Sequence, residues 1–270
     1  MKQYKTISDL KDHAKEVLTG KFGGAVLTNI IPGLVTFAFT FIFSMISSFI
    51  LTINIMASNP NAMTDMTAME SGLGLNLATY IFSQVLTVFI GVFNTGIALY
   101  FLNLACGRTA STSDLFYGFK HMFKESLTIS LIMTVINTVC LMPYNVFYML
   151  YTTEGSTKWL IYTIVALCAG LIVYLPISLS LSQSYFLLLD FPKYSAKEIL
   201  LLSIRIMKGR KWKLFLLELS FVPLMLLGLL SFGLGELWIT PYKNMTLALY
   251  FLDIMKPENT GTGNTENIQE

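Results

Sequence analysis

The stretch FGGAVLTNIIPGLVTFAFTFIFSMISSFILTINIM, Phe22 to Met56, decides the fold, because no side chain in it carries a charge. It belongs to a charge-free block between Lys21 and Asp65, and similar blocks run between Glu70 and Arg108, Glu125 and Glu154, and Lys158 and Asp190. Each exceeds the roughly 20 residues that carry an α-helix across about 30 Å of hydrocarbon. With no water in that layer, every backbone N–H and C=O must find a partner within the chain, so the blocks are helices or strands of a closed barrel. Continuous hydrophobicity, without alternation, excludes the barrel.

The rest of the composition agrees. Of 270 residues, 54% are hydrophobic and 13% charged, and the mean hydropathy is +0.63; a soluble domain carries roughly a quarter charged residues. The first block is too long for a signal-peptide core and follows an amphipathic segment, so it reads as an uncleaved helix. Cys106, Cys140 and Cys168 stand far apart with no CxxC and read as buried small hydrophobes.

Membrane helices are expected near 25–53, 73–104, 126–151, 159–189, 214–233 and 237–255, the sixth weakened by Pro241 and Lys243. Cytoplasmic loops retain lysine and arginine. All 18 of these residues except Lys158 and Lys243 fall on one face of a six-crossing topology, which places both termini in the cytoplasm. The expected fold is all-α: a polytopic helical bundle over 1–256, followed by a disordered cytoplasmic tail over 257–270 that is too polar to bury a core.

Three cytoplasmic segments, Asp9 to Lys21, Ser113 to Lys124 and Ser195 to Lys213, read as amphipathic interfacial helices. In the last, Ile199, Leu202, Ile206 and the stem of Arg205 recur at helical spacing, opposite Lys197, Glu198, Lys208 and Lys211. ALYFLN (Ala98–Asn103) is echoed by SYFLLLD (Ser184–Asp190) and ALYFLD (Ala248–Asp253). Tyr100, Tyr185 and Tyr250 would then mark where return helices meet the cytoplasmic interface, each ring with one wet end. The chain reads as a possible three-unit repeat of surface helix, outward helix and return helix.

Glu218 is the acid set firmly inside an expected span, and intramembrane acids are functional candidates by default. Interfacial pairing with a nearby base is the simpler explanation. Ser178 and Ser182 share one helical face beyond Pro176, with Ser180 and Ser184 on another and Gln183 between them, so a candidate intramembrane polar site comprises Glu218, Ser178, Ser182 and Gln183. Interhelical hydrogen bonding competes with a solute or lipid cavity as its role. Lys208, Arg210, Lys211 and Lys213 are candidate lipid-headgroup contacts; beside a membrane helix the run is a positive-inside anchor, and no nucleic-acid partner is expected. His13 and His121 have no metal-ligating company, and no nucleotide or catalytic motif implies a cofactor.

The block LSFGLGELWITPYKNMTLALYF, with Gly233, Gly235, Leu237, Trp238, Pro241 and Tyr242, preceded by Met207, Lys208, Gly209 and Trp212, resembles the bacterial integral membrane protein family domain of unknown function 975. Ala14, Leu18, Gly20, Lys21, Gly107, Arg108, Gly118 and Phe119 are similar to its weaker blocks. The resemblance implies a multi-spanning protein and brings no catalytic residue. Physically, Gly233 and Gly235 suit a tight external turn, and Pro241 suits the first turn of the returning helix. The expectation is a non-enzymatic scaffold or accessory protein of the bacterial cytoplasmic membrane that touches anionic lipid or a membrane protein partner. The alternative is a small-solute or lipid transporter using polar helix faces.

Overall fold

A computed structural model describes residues 5–58 and 73–256. The expected disordered tail, the loop with Asp65 and Glu70, and the side chain of Asn54 lie outside the described residues. All regular structure in the described residues is helical: α1 (Ile7–Leu18), α2 (Phe22–Ser58), α3 (Leu73–Ile90), α4 (Phe93–Ala105), α5 (Tyr117–His121), α6 (Phe123–Glu154), α7 (Thr157–Leu181), α8 (Ser184–Asp190), α9 (Ala196–Ile206), α10 (Lys211–Leu219), α11 (Val222–Leu230) and α12 (Glu236–Met255), with a 3-10 turn at Thr112–Phe116. Among the described residues, five segments are long and apolar enough to cross a membrane: Phe22–Ile50, Ala78–Ala105, Phe123–Glu154, Thr157–Asp190 and Lys211–Leu230.

The three expected surface helices share one starting device, although the second, Ser113 to Lys124, is not one helix: a 3-10 turn and the five-residue α5 end at Met122, and Phe123 and Lys124 open α6. Thr6 with Asp9, Ser111 with Asp114 and Ser195 with Glu198 form reciprocal capping boxes, which satisfy amide donors that a helix start leaves free. Four residues past each cap stands a fully buried apolar side chain, Leu10, Leu115 or Ile199. The inward face of α1 continues through Ala14 and Leu18, and that of α9 through Ser203 and Met207. Gly20 and Gly209, with φ of +77° and +80°, follow these two helices and let the chain turn into the next one.

Ile199, Leu202 and Ile206 of α9 pack onto the protein core, where lipid was the expected neighbour. Helical spacing shows that a face is apolar and is silent on what covers it. The outer face of α9 carries its exposed apolar residues, Leu201 and Ile204.

Two layers result. A compact base gathers α1, α4, α8, α9, α10 and most of α12 around one core. From it project apolar hairpins: α2 with α3, α6 with α7, and α11 with the first turns of α12. Phe37, Phe49, Val139, Ile172 and Leu230 on the hairpins are more than half exposed, as expected for side chains whose solvent is hydrocarbon. Cys106 and Cys168, expected to be buried, are exposed as well, because an apolar run does not fix which of its faces meets protein.

Tyr100 and Tyr250 are buried at 3% and 0% exposure, which corrects their expected place at a wet interface. The Tyr-Phe pairs fill the middle of the base. Phe186 stacks on Phe251 at 5.1 Å, and Tyr100 meets Phe101 edge-on at 5.3 Å. Each fully buried ring contributes about 2–3 kcal/mol. Tyr250 still satisfies its hydroxyl, which donates to the Arg210 carbonyl at 3.2 Å.

The expected sixth crossing, α12, is 20 residues long but carries Glu236, Lys243 and Asp253 and is the most enclosed helix of the base. Met245, Thr246, Ala248, Tyr250 and Phe251 are completely buried. Pro241 sits one turn further in than expected, inside the helix.

Close packing rests on small residues: a Cβ at Gly96 of α4 would collide with the Leu115 backbone, whereas one at Gly23 meets nothing. Gly96→Ala should therefore lower stability by about 1–3 kcal/mol by overpacking. Gly23→Ala should stay close to wild type in thermal unfolding in detergent micelles.

The capping carboxylates make a pH prediction. The Thr6 hydroxyl and backbone N–H hold Asp9 below its ordinary value of 3.8, and the Ser195 backbone N–H and hydroxyl hold Glu198 below 4.5. Depressed values mean that the caps contribute fully above those ordinary values and are lost as pH falls through the lower folded ones. Protection of the amides in the first turns of α1 and α9, taken relative to their intrinsic exchange rates, should fall only in that acid range.

Candidate functional site

The serine run beyond Pro176 surrounds the break between α7 and α8. Ser180 Oγ donates to the Pro176 carbonyl at 2.5 Å, Ser182 Oγ to Leu179 at 2.9 Å and Ser184 Oγ to Leu181 at 2.7 Å. Ser203 of α9 reaches across to the Ser180 carbonyl at 2.8 Å. Pro176 removes one N–H from the helix, which frees the Ile172 carbonyl one turn back, whereas Ser180 bonds to the carbonyl of Pro176 itself. Ser178 is half-buried. Gln183 is 1% exposed; its Nε2 donates to Ser182 Oγ at 2.9 Å, and its Oε1 is buried with no hydrogen-bond partner among the described residues.

Glu218 lies elsewhere. It pairs with Lys243 of α12 at 3.6 Å, both side chains being partly exposed, and no hydrogen bond or ion pair among the described residues links it to the serine run. The pair is one point on a polar collar where α1, α2, α12 and the α10–α11 break meet. Asn244 donates to Asn29 of α2 at 2.6 Å. Lys11 donates to the Ser220 carbonyl at 2.9 Å and covers the Phe221 ring at 4.2 Å. Lys15 faces the Tyr242 ring at 5.9 Å. Burial pulls the Lys11 ammonium below its ordinary value, and Lys15 adds repulsion.

At the other end of α12 stands the acid that the sequence reading passed over. Asp253 is 3% exposed. It accepts from Lys213 at 3.3 Å, pairs with Lys256 at 3.8 Å and accepts the Lys5 backbone N–H at 3.4 Å. One carboxylate thereby joins the start of the chain, the start of α10 and the end of α12. The available signal was the acid ending the last ALYFL copy, three residues before Lys256.

These contacts divide the basic run. Lys213 is engaged by Asp253, and Arg210 donates to the Ile206 carbonyl at 3.1 Å. Lys208 is exposed and Lys211 half-exposed, so these two stay on the surface.

The family described as "Protein of unknown function (DUF975)" matches residues 1–258. The chain belongs to this family. No curated protein and no solved structure matches it. In this DUF975 chain the FGLGELWITPY block builds the α11–α12 turn and the outer part of α12, where Gly228 and Gly235 let the legs touch: a Cβ on Gly235 would lie 2.7 Å from Gly228 Cα. A lateral crevice of about 440 Å³ opens between α2, α3 and α5, lined by Val35, Phe39, Phe82, Leu86, Phe93 and Phe119 among others. Its lining is wholly apolar.

Removing one member of a buried pair leaves the other charge uncompensated. Because Lys213 retains 27% side-chain exposure, Asp253→Asn should cost about 2–3 kcal/mol, below the roughly 3–5 kcal/mol of a dry pair. Glu218→Gln, at a wetter pair, should cost under about 1 kcal/mol. Thermal unfolding of the two variants in micelles compares them.

Proposed function

We propose that this DUF975 protein is a non-enzymatic scaffold or accessory protein of the bacterial cytoplasmic membrane, its base and both termini in the cytoplasm. What supports this reading is that, the Gln183 Oε1 apart, the polar groups a reaction centre or solute route would use are engaged by the chain itself. Glu218 is held by Lys243, Asp253 by Lys213, Asn244 by Asn29 and the serines by carbonyls one turn back. Lys208 and Lys211 offer cationic contacts to anionic headgroups or to a membrane protein partner, at about 1 kcal/mol per base near an anionic surface.

Three related units support the scaffold further. Each has a capped surface helix, an outward helix and a return helix bearing a Tyr-Phe pair. The return helix of one unit rests on the surface helix of the next: α4 on the 3-10 turn, α8 on α9, and α12 on α1. The last of these closes the ring between the ends of the chain. Such mutual support suits a rigid platform.

The alternative, a small-solute or lipid transporter, draws on the unpartnered Gln183 Oε1 and on the lateral crevice. Proteoliposomes loaded with ions, amino acids and sugars should leak no faster than empty vesicles, and a fluorescent phospholipid should flip no faster. Solute flux abolished by Glu218→Gln or Gln183→Leu, or accelerated lipid flipping, would overturn the scaffold.

A further inference from the structure

The polar collar marks a level in the membrane, and the third hairpin extends only a short way beyond it. α1 runs antiparallel to α12, with Lys5 at Asp253 and Lys15 at Tyr242. Phe221 meets Tyr242 edge-on at 5.1 Å, so both hairpin legs pass the collar there. On the outer side of α1 at this end, Asp12 and Lys15 pair at 3.2 Å with about two-thirds of each side chain exposed, and Glu16 is 80% exposed. Those charges require water or headgroups at the level of Tyr242. The Glu218–Lys243 pair, next to it in both legs, requires the same.

From Phe221 to Phe232 at the tip is 11 helical steps, about 16 Å at 1.5 Å per residue. That is half of the roughly 30 Å hydrocarbon layer. On the α6–α7 hairpin, Glu125 and Glu154 are 29 residues apart, about 43 Å as helix, which is ample for a full crossing.

The two tips differ in chemistry as they do in reach. The α6–α7 turn is built for water: Glu154 pairs with Lys158 at 3.8 Å and accepts the Trp159 indole N–H. The α11–α12 tip is LLSFGL, with Leu229 71%, Leu230 78% and Phe232 99% exposed. Phe232 is also held at a φ of +56°, a left-handed conformation rare for a bulky residue. A strained, wholly exposed phenylalanine is disfavoured in water and well solvated among acyl chains. The acid nearest the tip, Glu236, accepts from Thr240 at 3.4 Å and lies on the inner surface of the hairpin against Gly228.

We propose that the α11–α12 hairpin is a wedge that inserts into the base-side leaflet alone, its tip among acyl-chain ends at the bilayer midplane. The occupant of its apolar surface is phospholipid acyl chain. The chain then crosses the membrane four times, through α2, α3 with α4, α6, and α7. Both termini stay on one side, as six crossings would also have placed them. The unequal displacement of the two leaflets gives the scaffold a means of acting on membrane curvature. This rests on the membrane-scaffold reading only for the bilayer itself.

The test uses single cysteines in the full chain, with Cys106, Cys140 and Cys168 replaced by alanine, in sealed vesicles of both orientations. A membrane-impermeant maleimide should label Glu16→Cys only from the base side and Ser156→Cys only from the opposite side. Phe232→Cys, at a wholly exposed position, should react from neither side and become reactive on detergent solubilisation; Leu230→Cys is the second probe. A nitroxide at position 232 should be relaxed more strongly by oxygen than by a water-soluble nickel chelate. Labelling of Phe232→Cys from the Ser156 side would establish a full crossing and overturn the wedge. Labelling from the Glu16 side would put the tip in water and overturn it as well. If Ser156→Cys also failed to label from the far side, the membrane reading itself would fall, a result separate from the other two.

Discussion

Asp253 is the fastening on which the base depends. A carboxylate at 3% exposure is stable only with compensation, and here it receives an ammonium from α10, another from Lys256 and an N–H from the first described residue of the chain. The contact fixes the ends of the sequence against each other. α1 can then cover α12, and the part of that helix with Lys243 and Asp253 becomes the centre of the molecule. Were that part placed in lipid, those two charges would each oppose it by several kcal/mol.

The membrane part is organised by a different constraint. α2, α6 and α7 each leave large apolar residues such as Phe37, Val139 and Ile172 exposed, because association among acyl chains gives no hydrophobic gain from turning them inward. The hairpins cohere through small residues and short contacts, such as Gly170 of α7 against the Cys140 carbonyl of α6. The protein is therefore two materials joined at a collar of lysines, asparagines and tyrosines: an ordinary hydrophobic core on one side and lipid-solvated helices on the other.

Much of this was legible in the sequence. Charge-free blocks located the first four long helices, because backbone satisfaction in hydrocarbon leaves few alternatives. The surface segments were found from amphipathic spacing, and their capping boxes follow from Thr6, Ser111 and Ser195 three residues ahead of an acid. The candidate polar residues were individually unusual, yet the sequence could not divide them. Glu218 found its partner 25 residues further along the chain in Lys243, Gln183 kept an unpaired oxygen, and Lys213 turned inward while Lys208 stayed exposed. Each outcome depends on which helix lies opposite, and local spacing does not encode that.

What the sequence determined by itself was therefore the solvent of each segment: long apolar runs for lipid, capped amphipathic helices for the boundary, membership of the DUF975 family for the whole. What the tertiary structure alone decided was which apolar faces meet protein and which meet lipid. α9 and the Tyr-Phe pairs went into the core, and α12 became its axis. The physical reason is that hydrophobicity is non-directional. A buried face and a lipid-facing one are written in the same residues, and only long-range pairs such as Asp253 with Lys213 and Asn244 with Asn29 distinguish them.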